Sequence, residues 1–150
     1  MNRVYVTGIG FITSIGNDYK DVCESLTNLQ NGIGLHPELS VDNSPVKLAG
    51  IIKDFDTTSL DPEDWIYPDN YTVRRDIIRS FSPHVLYAYC AMEQIIDTTS
   101  IQKDDISNKD TGIYTASGGS MSRIHRFLEK VENRGVMSCN PMAIVASISG

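Results

Sequence analysis

Arg3-Val4-Tyr5-Val6-Thr7-Gly8-Ile9-Gly10 is the stretch on which the reading of the fold turns. Val4, Tyr5, Val6 and Thr7 are β-branched or aromatic, and their apolar character does not alternate cleanly. That is the pattern of a strand covered on both faces, as in sheets flanked by helices, so a layered α/β domain is expected. Gly8 and Gly10 let the backbone turn sharply, or pass close to a neighbouring segment where a Cβ would clash. A second β-prone run, Thr111 to Ala116, breaks at Ser117-Gly118-Gly119-Ser120. A helix follows with Met121, Ile124, Phe127 or Leu128, and Val131 on its inner face, ending at Gly135. Strand, glycine turn and helix thus occur twice, which predicts a parallel sheet with crossover helices and a site near the strand ends.

Gly8-x-Gly10 after a strand invites a dinucleotide-binding reading, in which a third glycine opens a helix directly on a pyrophosphate. Here that third position is Thr13, and the loop runs on through Ser14, Ile15 and Gly16 before any helical pattern begins. The helix dipole would lie well past the strand end, so this reading is set aside.

The first helix is capped by Asn17 or Asp18, carries Tyr19, Val22, Leu26 and Leu29 on one face, and ends at Asn31-Gly32. Residues 33–54 read as loop followed by one peripheral strand, Val46 to Ile52. Asp54 to Val73, rich in Asp, Thr, Asn and Tyr and interrupted by Pro62 and Pro68, reads as a surface excursion that Trp65 anchors. Ser82-Pro83 places a capping hydroxyl and a first-turn proline before a long helix. Val85, Tyr89, Met92 and Ile96 form its stripe, widened by Leu86, Cys90 and Ala91. Asp97 to Asp110 reads as a solvated connection.

The chain has 150 residues, 41% hydrophobic and 21% charged, which is the composition of one globular domain. A net charge of -6, with no compensating basic cluster, argues against nucleic acid as a partner. Cys23, Cys90 and Cys139 are too scattered for a disulfide framework or a zinc site, which suits a reducing cytoplasm. Met1 runs almost directly into the first strand, so no export signal is read, and Asn70-Tyr71-Thr72 is taken as a chance glycosylation match. No apolar run approaches the ~20 residues of a membrane helix.

Candidate catalysts are few. Cys90 reads as a small core residue with nothing cationic nearby in sequence to stabilise a thiolate. His36, His84 and His125 share no metal-ligand spacing and read as surface or packing groups. Ser117 and Ser120 fail as hydrolase nucleophiles because Thr115 stands where the elbow motif requires glycine.

RVYVTGIGFITSIGND at the start, NGIG after the first helix, and GIYTASGGSM before the late helix together resemble the β-ketoacyl synthases that act on acyl carrier protein in fatty-acid and polyketide assembly. Arg74-Arg75-Asp76 with the YAYCAMEQII helix, and MAIVASISG near residue 150, agree with that resemblance in order and spacing. It implies a thiolase-like layered α/β fold, of which only the amino-terminal part is present, with the 54–73 excursion longer than the family pattern. It implies decarboxylative condensation of an acyl thioester with a malonyl thioester, a cysteine nucleophile shortly beyond Gly150, and two histidines further on, so the chain alone would be inactive. It also implies a homodimer or ketosynthase heterodimer, and a carrier protein bearing a pantetheine arm, with no metal or organic cofactor. Cys139 does not sit in surroundings like the family's nucleophile, and Pro141 suits a helix entry. Gly118 and Gly119 are the expected substrate-binding positions, since a glycine at 119 leaves room for longer acyl groups. The alternative is a non-catalytic chain-length partner that keeps the fold and lacks the nucleophile.

Overall fold

A computed structural model describes residues 3–59, 61–118 and 121–139. The chain divides into two compact units, one formed by residues up to Phe55 with Cys90–Ser100, the other by Asp56–Tyr89 with residues from Ile101 onward. Helices α1 (Tyr19–Thr27), α2 (Arg75–Ile78), α3 (Pro83–Thr98), α4 (Lys103–Ile106) and α5 (Met121–Arg134) accompany strands β1 (Ile33–Leu35) and β2 (Leu48–Gly50).

In the first unit α1 begins at Asp18, whose carboxylate accepts from the Asp21 amide at 2.7 Å. The helix closes earlier than its apolar pattern predicts. The Gln30 amide reaches back to the Ser25 carbonyl and the Leu29 amide to that of Leu26, the paired bonds of a Schellman turn. Leu29 takes the left-handed position of that turn, with φ of 53°, where glycine is the usual occupant. The expected face of α1 is only partly used: Val22 and Ser25 are buried, whereas Tyr19, Leu26 and Leu29 face outward.

The sheet is smaller than expected and antiparallel, pairing Ile33 with Gly50, Gly34 with Ala49 and Leu35 with Leu48. β2 lies within the expected Val46–Ile52 strand, while β1 falls where loop was expected. The run Val4–Thr7 is not a buried strand: Val4 is 93% and Val6 87% exposed. Thr111–Ala116 likewise has no ladder among the described residues, with Tyr114 98% exposed. A strand exists only where a second segment accepts its hydrogen bonds, and among the described residues neither run has one.

The second unit contains most of the described core, namely Trp65, Tyr71, Val73, Ile78, Phe81 and Leu86. An isolated bridge between Asp56 and Ile66 closes the loop around Trp65, whose indole donates to the Ser59 carbonyl at 3.0 Å. Phe81 and Tyr89 stack at a tilt, ring centres 5.8 Å apart.

The buried seam of α3 runs through Ser82, Leu86 and Cys90 at four-residue spacing, each at most 1% exposed. The expected stripe through Val85, Tyr89 and Met92 lies to one side of it, and Met92 is exposed. The Ser82 carbonyl accepts the Val85 and Leu86 amides to open the helix, and its hydroxyl pairs with Nε2 of His84 at 2.9 Å. The connection after α3 contains one unexpected helical turn, α4, built on a capping box between Gln102 and Asp105. α5 ends where expected, at Gly135, whose φ of 77° and ψ of 160° are accessible to glycine almost alone.

Candidate functional site

Of the two glycines expected to bind substrate, Gly118 is exposed and a methyl group built there would meet nothing within 4 Å. Gly119 lies outside the described residues, as does the segment from Asn140 onward that contains MAIVASISG. Helix α5, which begins at Met121, is tied down in its second turn. Arg126 donates from Nη1 to the Ser59 carbonyl at 3.1 Å and from Nη2 to the Thr58 carbonyl at 2.8 Å.

The first glycine pair sits in a different setting. A methyl group at Gly10 would lie 2.0 Å from the Ala91 carbonyl oxygen, and one at Gly8 would lie 2.5 Å from the Thr99 side chain. The glycines therefore permit close passage of the backbone across α3, the second of the two roles open to them in the sequence. Gln94 fixes the passage: its Oε1 accepts the Phe11 amide at 3.0 Å, and its Nε2 donates to the carbonyls of Phe11 and Asn17 at 3.1 and 2.6 Å. A side-chain amide here pairs with backbone as a neighbouring strand would. Gly32 yields in the same way to Ser14, whose Oγ would be 2.3 Å from a Cβ.

Beside this loop lies an open polar cleft of about 200 Å³ bordered by Thr13, Asn17, Asp21, Glu24, Lys53 and Asp54. Its hydroxyls are committed to the backbone, since Ser25 donates to the Ile15 carbonyl at 2.6 Å and Thr13 to that of Gly16 at 2.8 Å. No nucleophile and base are aligned there. Among the described residues no three of His, Cys, Asp and Glu converge as metal ligands.

The thiols and imidazoles do not form a catalytic set either. Burial, and then the nearby charge of Glu93, push the Cys90 thiol up to about 11, so it remains protonated and inert at neutral pH. Cys139 is half-buried, its Sγ 4.0 Å from the Gly135 carbonyl, and Cys23 lies beside Tyr19, whose phenol it pushes upward. His125 on α5 faces Glu129 at 3.5 Å on an exposed surface. Nδ1 of His36 is buried without a partner among the described residues. Asp56 is held below the usual carboxylate range by hydrogen bonds from the Thr58 hydroxyl and amide.

Residues 1–150, the whole chain, match the family described as "Beta-ketoacyl synthase, N-terminal domain". The chain belongs to the β-ketoacyl synthase family. It is 30% identical over 151 residues to 3-oxoacyl-[acyl-carrier-protein] synthase 1 of Haemophilus influenzae, covering 99% of this chain and 34% of that protein. It is 32% identical over 154 residues to the synthase 1 of Buchnera aphidicola subsp. Schizaphis graminum, covering 100% and 35%. The corresponding protein of Escherichia coli K12 is 27% identical over 99% of this chain and 34% of its own length. The chain spans about a third of the length of these curated relatives.

Two residues with long-range partners were passed over by sequence reasoning. Gln94 stands next to Glu93 in the AMEQII run, and it continues the Ser82-Leu86-Cys90 seam by one further turn. The available signal was an amide four residues on from Cys90, at the same helical spacing as Ser82, Leu86 and Cys90. Arg126 offered none, because a lone arginine on an amphipathic helix is usually a solvated one. Among the described residues no helix is long and apolar enough to cross a membrane.

Proposed function

We propose that the protein to which these residues belong is a carbon–carbon bond-forming acyltransferase of fatty-acid or polyketide synthesis, joining an acyl thioester to a malonyl group held on acyl carrier protein. The observation that carries the reading is the family match over residues 1–150 together with relatives named as 3-oxoacyl-ACP synthases. The acyl carbonyl is attacked by a cysteine thiolate outside this chain, and the carrier thiol leaves. Loss of carbon dioxide from the malonyl thioester then supplies a carbanion, which attacks the acyl-enzyme carbonyl and expels the cysteine. Covalent catalysis divides one difficult step in two, and donors aimed at the developing oxyanions lower each barrier.

On this reading residues 1–150 are the amino-terminal part of a thiolase-like layered α/β domain, with residues 54–73 as a surface excursion. The protein works in the cytoplasm as a homodimer or paired with another ketosynthase, and the pantetheine arm of the carrier is the only prosthetic group involved. The β-prone runs Val4–Thr7 and Thr111–Ala116 are strands that acquire their ladders from polypeptide beyond this chain. Gly118 and Gly119 belong to the acyl pocket. Replacing Gly119 with Ile shortens the chains accepted, and an unchanged chain-length preference removes that assignment.

The test is to incubate the intact protein with acyl- and malonyl-carrier protein and to weigh the products. A β-ketoacyl carrier protein together with released carbon dioxide supports the reading. An intact protein that yields neither alone, but both when mixed with a second ketosynthase subunit, is the non-catalytic chain-length partner instead. Residues 1–150 alone yield neither.

A further inference from the structure

Asn31-Gly32, the pair that opens the NGIG motif, brings together the groups of an intramolecular reaction. Asn31 is exposed, and its Oδ1 accepts the Ile33 amide at 3.1 Å. That bond folds the carboxamide back over the Gly32 peptide, as in any turn closed by an asparagine side chain. Gly32 has no Cβ to screen its own nitrogen. Among the described residues Nδ2 of Asn31 has no hydrogen-bond partner, and the Gly32 amide is engaged in no turn, loop or cap bond. Electrophile, nucleophile and leaving group are therefore adjacent and untied. The Ile33 N–H points at the oxygen on which negative charge develops when Cγ becomes tetrahedral.

No other asparagine among the described residues combines these features. The amide after Asn28 donates to the Leu26 carbonyl at 3.2 Å, that after Asn43 to Val41 at 3.0 Å, and that after Asn70 to Pro68 at 3.1 Å. Asn133 lies within α5, and Asn17 donates its Nδ2 to the Lys53 carbonyl at 2.7 Å. Asn108 is the closest parallel, since its Oδ1 also accepts the amide two residues on, at 2.8 Å. There, however, Nδ2 is held by the Asp104 and Asp105 carbonyls and the Thr111 hydroxyl at 3.0, 2.6 and 3.0 Å, and a lysine follows.

We propose that Asn31 is a site of spontaneous deamidation in the folded protein. The Gly32 nitrogen gives its proton to solvent and bonds to Asn31 Cγ. The Cγ–Nδ2 bond breaks, and Nδ2 leaves as ammonia, taking a proton back, so that a cyclic imide remains. Water opens the imide at either carbonyl to leave aspartate or isoaspartate; one water is consumed and one ammonia released, with no oxidant or reductant. Either product places a new carboxylate at the rim of an open cleft of about 400 Å³ bordered by Ser14, Gly34, Ala49 and Ile51. Isoaspartate also routes the backbone through its Cβ, directly before the Ile33–Gly50 pair and beside Gly32, which is packed so closely on Ser14 that a Cβ would lie 2.3 Å from Oγ. The entry to the β1–β2 hairpin is loosened.

The experiment incubates the intact protein at pH 8 in water enriched in heavy oxygen, beside Asn31→Gln and a reference peptide of residues 28–36, and follows each asparagine by peptide mass spectrometry that separates aspartate from isoaspartate. Asn31 is expected to yield both products, each with one heavy oxygen, at a rate within about threefold of the peptide and at least about tenfold above Asn43 and Asn108. The rate should rise with pH, because the attacking nitrogen must first lose its proton. Asn31→Gln, which lengthens the side chain without altering the backbone, is expected to block the reaction at 31. Asn31 that persists in the folded protein while the peptide reacts would overturn the proposal, as would aspartate without isoaspartate, or conversion of Asn43 or Asn108 at the same rate. Amide exchange over residues 33–35 that is equal in the isoaspartyl and unreacted forms would overturn the loosening of the hairpin. None of these readouts depends on acyl transfer.

Discussion

Gly10 and Gly118 end two stretches that look alike in sequence, each a β-prone run broken by glycines, and they sit in opposite environments. A methyl group at Gly10 would enter the Ala91 carbonyl at 2.0 Å, while one at Gly118 would meet nothing within 4 Å. The first glycine is thus explained by α3, which lies in this chain. The second has no such explanation among the described residues, and the exposed Ile113 and Tyr114 before it are equally without cover. A glycine signature alone therefore does not say whether a neighbouring segment passes close by: one does at Gly10, and none does at Gly118 among the described residues.

That contrast sets the sizes of the expected effects. Gly10→Ala forces backbone apart from backbone and is expected to cost about 3 kcal/mol or more, read from the shift in the urea midpoint. Gly118→Ala in the same assay is expected to stay within about 0.5 kcal/mol. Equal costs at the two positions would erase the distinction. Gln94→Ala strips partners from the Phe11 amide and from the Phe11 and Asn17 carbonyls, and a loss of roughly 2–3 kcal/mol is expected. Gln94→Glu keeps an acceptor for the amide but loses the donor to both carbonyls, so it should not restore stability.

The thiols extend the comparison. Cys90, fully buried, is expected to resist a disulfide reagent at pH 8 while Cys139 reacts, and equal labelling rates would contradict the packing described. Because the folded Cys90 thiol is raised to about 11 from a reference of 9.0, the folded state retains the proton longer than the unfolded state does. Its contribution to stability is complete below pH 9 and is lost as pH rises towards 11, so the urea midpoint should fall across that window. In Cys90→Ala that part of the decline should disappear.

A modest effect is expected in the converse case, a position that calls for glycine and lacks it. Leu29, at φ 53° and 89% exposed, has little packing to lose, so Leu29→Gly is expected to gain about 0.5–1 kcal/mol by relieving left-handed strain. A loss of that size would mean the side chain makes contacts that its exposure conceals.

The helices were legible because their signals are local. α1, α3 and α5 follow from 3.6-residue periodicity, Ser82-Pro83 marks the start of α3, and Gly135 marks the end of α5. Even so, the centre of the α3 seam lay one position from the expected stripe, on Leu86 and Cys90 that were read as its widening, since Ser82 and Gln94 are polar and were not counted as inward. The strands were poorly legible because pairing is non-local: Val4–Thr7 has the composition of a strand but no described partner, while Ile33–Leu35 forms one with Gly in its centre. α4 was missed because it is a single turn made by side-chain capping rather than by an apolar face. Arg126 was not legible, since its partners are carbonyls 67 and 68 residues away.

The most direct trial of the central claim is to expose the intact protein to an acyl carrier protein without malonyl donor and to locate the acyl group by peptide mass spectrometry. The account predicts one acyl thioester on a cysteine outside residues 1–150, with Cys23, Cys90 and Cys139 unmodified. An acyl group on any of those three, or none on an intact protein that nevertheless makes the β-ketoacyl product, would contradict it.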